Sequence, residues 1–375
     1  MFSVPSLRRL GFYLARLGHC GLAVALVLVL TTVALASHEG MRAANEVQEA
    51  NYRNIMDQYL YTHTGHNRGY SSGPQHDPAR DNIKMIFESY GLPTVFETFT
   101  YQGSTNENVI ATQVGTLYPN QEYIIGGHYD SANNPGADDN ASGVALVLEA
   151  ARILSKYDSD YTIRYIAFDA EEAGLIGSQR YVAAHPGAQI LGMISTDMVA
   201  YDPNNLLKAN VYGTTNSTPI KQTVAAAVTE YGGLIPTIRG SSSGSDHYPF
   251  EQAGYQACLL IEGTFNSANY HTQRDNFEQP GNLNFTFASK MTRSVVGWLV
   301  DQAGVHVFVA GDLNCDGVVN FDDINPFVLG LSDPAGYQVA YPNCNIMNGD
   351  VNGDGVFNFD DINPFVALLS SGLGE

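Results

Sequence analysis

Residues 123–143, YIIGGHYDSANNPGADDNASG, decide how the rest of the chain is arranged. The opening apolar run Tyr123, Ile124 and Ile125 reads as a buried strand; it breaks at Gly126 and Gly127 and delivers His128, Tyr129 and Asp130 at its carboxyl end. Asp139 and Asn140 follow, directly before a helical apolar pattern at Val144, Ala145, Leu148 and Ala151. An imidazole and a carboxylate at the two ends of one strand-loop-helix unit are the beginning of a divalent metal site. Asp130 is close enough to orient the His128 ring from behind.

Further strand ends add to it. Tyr161–Phe168 (YTIRYIAF), rich in β-branched and aromatic residues, runs into Asp169, Ala170, Glu171 and Glu172, and then into Gly174 and a helix from about Leu175. Adjacent glutamates cannot both face one way. One can bind metal while its neighbour faces whatever the metal binds, the division between ligand and general base that hydrolysis needs. A third strand, Gln189–Thr196, ends in Asp197, and residues 269–272 supply His271. Two imidazoles with carboxylates at successive strand ends have the composition of a co-catalytic zinc pair.

The segments GGHYDS, GADDNASGV, FDAEEAGLIGS, STDM, SDHYPFEQAG and YHTQRDN resemble, in order, the motifs of the M28 family of zinc peptidases, over roughly residues 45–305. The resemblance implies two zinc ions, His128 and Asp197 on one, Glu172 and His271 on the other, with Asp139 bridging. It implies Glu171 as general base, Asp130 and Asp246 behind the ligands, and a cis peptide at Asp139-Asn140. In some secreted members a tyrosine flanked by a disulfide precedes the SDH motif; here that stretch is Gly240 to Gly244, GSSSG, with neither tyrosine nor cysteine. Tyr270, beside His271, is then the candidate for stabilising the oxyanion. The activity implied is that of an exported dinuclear zinc aminopeptidase acting on peptides or proteins. Two alternatives stand beside it. One is a glutaminyl cyclase-like acyltransferase, whose relatives usually use one zinc and carry glycine where this chain has Ala170. The other is a non-catalytic binding protein that uses the C-terminal module. GSSSG also matches G-x-S-x-G, but the flanking Pro236, Thr237 and Pro249 do not suit a nucleophile elbow.

The 375 residues open with a basic segment (Arg8, Arg9, Arg16), an apolar run over 21–36 and an Ala34-Leu35-Ala36 cleavage signal. This reads as a signal peptide over 1–36 and a secreted, cell-surface or periplasmic protein; uncleaved, the same run would be a membrane anchor. The net charge of -20 grows more negative once those arginines are removed, and no Lys/Arg run is present, which excludes nucleic acid as a partner. Cys258 reads as a buried thiol, and Cys315 with Cys344 as a candidate disulfide. Residues 41–60 read as one helix. His63, His66 and His76 lie in a segment rich in glycine and serine and are set aside as ligands. From residue 123 onward strands alternate with helices, so the expected fold is α/β: a mostly parallel central sheet flanked by helices over 37–305, a linker over 306–310, and a small α-helical C-terminal module over 311–375.

Within that module residues 311–330 and 349–368 repeat at an offset of 38. Oxygen side chains fall at loop positions 1, 3, 5, 9 and 12: Asp312, Asn314, Asp316, Asn320 and Asp323, then Asp350, Asn352, Asp354, Asn358 and Asp361. Gly317 and Gly355 take the sharp turn, and Val318 and Val356 offer the position 7 carbonyls. These are EF-hand-like loops for two calcium ions. The whole resembles a dockerin type I module over about 311–370, which implies a cohesin-like partner. Asn325-Pro326 and Asn363-Pro364 depart from that pattern and suit helices that begin, or restart, there.

Overall fold

The computed structural model describes residues 37–60, 67–70, 73–342 and 344–371; the signal peptide expected over 1–36, His63 and His66 lie outside them. Helices α1 (His38–Asn45), α2 (Glu49–Asn54) and α3 (His76–Ser89) precede the hairpin β1 (Thr94–Tyr101) and β2 (Ser104–Gln113). The chain continues through β3 (Tyr118–His128), α4 (Gly143–Leu154), β4 (Asp158–Ser159), β5 (Tyr161–Phe168), α5 (Ile176–Ala184), β6 (Gln189–Thr196) and β7 (Lys208–Tyr212). Then come α6 (Thr218–Glu230), β8 (Ile235–Ile238), α7 (His247–Gln252), β9 (Ala257–Glu262), α8 (Phe285–Ala303) and β10 (Val305–His306). Among the described residues no helix is long and apolar enough to cross a membrane.

An eight-stranded sheet in the order β1-β2-β5-β3-β6-β9-β7-β8 forms the centre. The expectation of a mostly parallel sheet is corrected to a mixed one. Only the middle, β5-β3-β6-β9, is continuously parallel. β1 and β2 are joined through Gln102 and Gly103, both at positive φ, and so tight a turn can only return antiparallel. β2 then pairs antiparallel with β5. No helix lies between β6 and β7, so no crossover can restore the direction, and β7 runs antiparallel to β9. β7 had no expectation, and β8, which holds Pro236 and Thr237, is a partly exposed edge strand, where proline is tolerated.

Alternation along the middle strands serves both faces. Ile125, Ile163, Tyr165 and Ala167 join the larger core with α4, α6 and α8, while Ile124, Ile166 and Phe168 turn to the other face and pack with Tyr181 and Phe250 of α5 and α7. The single N-terminal helix expected over 41–60 is interrupted after α1, and a wide turn over Ile55–Leu60 follows α2. Tertiary bonds overrule helical propensity there: Glu149 accepts from Gln48 N (3.0 Å) and Asn51 Nδ2 (2.8 Å), while Arg152 donates to the Glu46 carbonyl (2.9 Å). His76 opens α3, buried against Asp169 at 2.7 Å, a satisfied core histidine. Cys258 is a buried free thiol.

Beyond β10, Leu313, Phe327, Tyr337, Phe365 and Leu369 form a separate cluster. Helices α9 (Ile324–Ser332), α10 (Pro334–Ala340) and α11 (Ile362–Ser371) carry it; α10 was not expected. α9 and α11 start at Ile324 and Ile362, one residue earlier than Asn325 and Asn363, after short turns capped by Asn320 and Asn358. Pro326 and Pro364 therefore sit in a first helical turn, where the missing N–H costs nothing. Phe327 and Phe365, equivalent in the repeat, stack face to face with centroids 4.1 Å apart. A disulfide joins Cys315 to Cys344, 29 residues apart; in the chain-entropy model closing such a loop stabilises by about 3.5 kcal/mol. Arg42 of α1 reaches Asp312 at 2.8 Å.

Candidate metal centre

The parallel middle of the sheet ends where the chain's acidic loops begin. His128 closes β3, Glu171 and Glu172 follow β5, and Asp197 follows β6. Asp139 sits in the turn Ala137–Ser142 before α4, and His271 in the loop between β9 and α8. That turn lies against the end of β6 because Gly143 lacks a side chain: a Cβ there would lie 2.2 Å from the Thr196 carbonyl oxygen. Asn140 completes the join, donating to Thr196 O (2.9 Å) and accepting from Gly143 N (2.9 Å) and Met198 N (3.3 Å). The Asp139-Asn140 peptide is cis. Ala170, Met198 and His271 hold left-handed φ of 55°, 49° and 56°, a cost that non-glycine residues bear mostly at functional sites.

The side chains converge in overlapping triplets: His128 with Asp139 and Asp197, Asp139 with Glu172 and His271, and His128 with Glu171 and Glu172. Asp139 faces both histidines at once. Its Oδ1 lies 3.3 Å from His128 Nε2 and its Oδ2 3.2 Å from His271 Nε2. Asp197 Oδ1 is 3.5 Å from His128 Nε2, Glu172 Oε2 is 3.1 Å from His271 Nε2, and Glu171 Oε2 stands 4.0 Å from His128 Nε2. The His128 side chain is 1% exposed and that of His271 38%. Glu172 Oε1 and Asp197 Oδ1 are buried without a hydrogen-bond partner, a costly state for carboxylates unless a cation meets them. Imidazole nitrogens and carboxylate oxygens within reach of one another are the donor set that zinc takes, so these residues fit the metal.

The electrostatics follow from packing acids together. Burial opposes ionisation of Asp139, but His128 and His271 on its two sides hold it down at about 2. Burial pushes Glu172 up to about 8, helped by Asp139. Glu171 is raised well above the usual carboxylate range, by burial first and by Asp246 and Asp197 next, with His128 opposing. Burial works against a charged His128, yet Glu171 and Asp197 raise it well above its ordinary value.

Asp130 lies behind the His128 ring, as expected, and also holds the glutamate pair. The carboxylate stands 3.5 Å from Nδ1 and accepts the backbone N–H groups of Glu171 (3.0 Å) and Glu172 (3.2 Å), while the Asp130 carbonyl lies 3.2 Å from Nδ1. Asp246 is buried and is raised by burial to about 7, with His128 opposing. Tyr270 is partly exposed and stacks on the His271 ring with centroids 3.8 Å apart. Ser242 of the G-x-S-x-G match turns its hydroxyl to Gly244 N at 3.3 Å. Asp275 had no expectation, although YHTQRDN contains it; its carboxylate accepts from Asp138 N (2.8 Å) and Asp139 N (3.0 Å).

In the C-terminal repeat both loops close the same way. Asp323 accepts from Leu313 N, Asn314 N and Asn320 N, and Asp361 from Asn352 N and Asn358 N. Asp312 and Asp350 accept from Gly317 N and Gly355 N, and Asn314 and Asn352 from Asp316 N and Asp354 N. The donors are all hard oxygens, and Asp312 Oδ1 is buried without a partner.

Fold and convergence together define a class, the α/β scaffolds with a metal centre at the carboxyl ends of the sheet. The chain belongs to peptidase family M28, whose model matches residues 108–295. It is 34% identical over 196 residues to aminopeptidase YwaD of Bacillus subtilis and 36% identical over 199 residues to leupeptin-inactivating enzyme 1 of Streptomyces exfoliatus. Those matches cover 48% and 51% of this chain, and the chain spans 42% of the length of each relative. The fold resembles that of the LapA aminopeptidase of Legionella pneumophila (TM-score 0.61, 21% identity, 71% of this chain and 74% of that one). It also resembles the glutaminyl cyclase of Porphyromonas gingivalis (TM-score 0.56, 21% identity, 68% and 99%).

Proposed function

We propose that this chain is an exported dinuclear zinc aminopeptidase. The observation that carries the reading is the position of Asp139, whose two oxygens face His128 and His271 separately, as a carboxylate shared by two cations must. His128 and Asp197 would hold one zinc, Glu172 and His271 the other. Bound there, the pair would polarise the scissile carbonyl and acidify water. Glu171, raised by burial and 4.0 Å from His128, would take a proton from the attacking water and pass it to the departing amine as the C–N bond breaks and the C–O bond forms. The Tyr270 hydroxyl is the candidate donor to the carbonyl oxygen. Hydrolysis of aminoacyl-nitroanilides by wild type, its loss in Glu171→Ala by about 10²- to 10⁴-fold, and a metal content near two per chain are the expected results. A Glu171→Ala protein as active as wild type would overturn the assignment.

A glutaminyl cyclase-like acyltransferase is the second reading, supported by the shared fold. Ala170 in place of glycine speaks against it, and a metal content near one with cyclisation of N-terminal glutamine would favour it. Two calcium ions in the C-terminal loops and a cohesin-like protein partner complete the proposal. The duplicated exposed residues Phe321, Ile324 and Val328, repeated as Phe359, Ile362 and Val366, support a docking face. Calcium titration of the full chain by calorimetry tests the first of these, with fewer than two equivalents as the refuting result.

A further inference from the structure

Asp275 is 1% exposed, lies four residues beyond His271, and belongs to none of the ligand triplets. Its backbone and side chain nevertheless take consecutive N–H groups of the segment that leads to the bridging aspartate. The Asp275 carbonyl accepts from Ala137 N (3.1 Å), Oδ1 from Asp138 N (2.8 Å) and Oδ2 from Asp139 N (3.0 Å). Oδ1 also accepts from Asn282 Nδ2 (3.0 Å). Asn282 in turn gathers the His271 loop: its Oδ1 accepts from Asn266 and Asn269, each at 2.8 Å, and its Nδ2 also donates to Asn276 O (3.0 Å).

The loop that carries His271 follows β9, the strand paired with β6 against whose end Asp139 lies, but His271 stands well beyond the end of β9 at Glu262, so the ladder alone does not set the distance between the two side chains. We infer that Asp275 is a positioning residue that sets it: one buried carboxylate fixes the backbone of Asp139 while being held by the same amide that orders the loop of His271. An oxygen pair matched to successive N–H groups is required. In Asp275→Asn one oxygen becomes an NH2 aimed at an N–H, which pushes Asp139 away from His271 with little change in volume.

This rests on the proposed metal centre and is tested without relying on turnover. Full-length wild type, Asp275→Asn and a core control, Val295→Ala in α8, are titrated with Co2+ and Zn2+ against a competing chelator, and the Co2+ absorption bands are recorded at equal metal load. Asp275→Asn should bind the second equivalent about 10- to 100-fold more weakly, with shifted bands, the scale of losing a group that orients a ligand. Val295→Ala should lose melting temperature and keep both wild-type affinity and bands. Should Asp275→Asn not fold, Asn282→Ala keeps all three bonds from backbone N–H groups to Asp275 and should show the same loss on a smaller scale. Wild-type affinity and bands in the folded Asp275 variant, or in Asn282→Ala where that variant replaces it, overturn the inference. A wild type that binds no divalent metal overturns the metal reading and this inference with it.

Discussion

At the strand ends Asp139, Glu172 and Asp197 come from separate loops, face imidazoles, and leave oxygens buried and unmatched. In the C-terminal repeat Asp323 and Asp361 each close one short stretch and spend both oxygens on backbone N–H groups of their own loop. The difference lies in what holds each set of acids together. The first set is assembled by the sheet, whose larger apolar core is independent of any ion. The second stands on a small cluster and a disulfide, in a segment without a basic residue, so an ion has more to contribute to folding.

The largest effect expected to test this contrast comes from Asp139→Ala, which should lower aminoacyl-nitroanilide turnover by about 10³-fold and the metal content below two, while the melting temperature of the metal-free protein changes little. A variant that keeps both metals would remove the bridging role. Next, EDTA should raise hydrogen exchange throughout 311–371 and leave β3, β5 and β6 protected; equal loss of protection in both regions would erase the distinction drawn here. Third, Asp361→Ala should weaken calcium binding at the second loop about tenfold or more and leave peptide hydrolysis within about twofold, as read by calorimetry and by initial rates. Loss of activity would show that the two regions are coupled.

The smallest effect concerns the junction. Glu39 of α1 is raised to about 7, by burial first, with His306 and Arg42 opposing and Asp301 and Asp312 adding to the rise. Its folded pKa lies above the unfolded value of 4.5, so the contribution of its protonated form is complete below about 4.5 and is lost as pH rises through about 7. Glu39→Gln should therefore raise the melting temperature at pH 8 by about a degree or two and leave it unchanged at pH 4.5. An equal shift at both pH values would dissociate the effect from ionisation.

His128, Glu172 and Asp197 were legible because each closes or follows an apolar strand, where a solvated charge has no reason to be, and Asp139 because it stands directly before an apolar helical pattern. The repeat was legible from its spacing alone. Other features left no such mark. β7 and β8 are short, and β8 is half exposed with a proline, so neither carries a clear period of two. The break after α1 is imposed by Glu149 and Arg152 from α4, a tertiary contact that local propensity cannot report. Asp275 acts through backbone N–H groups, which every residue but proline carries, so no partner residue type announces it. Asp130 was legible beside His128, but its second task, accepting the amides of Glu171 and Glu172, left no mark because every residue but proline carries that N–H.

The stack of Phe327 on Phe365 has a consequence for the origin of the C-terminal segment. The same position of each copy meets its counterpart, so every copy is the other's hydrophobic lining and a solitary copy would present an aromatic ring to water with nothing opposite it. The tandem is thus the smallest unit able to fold, and deleting either half should cost the whole of it.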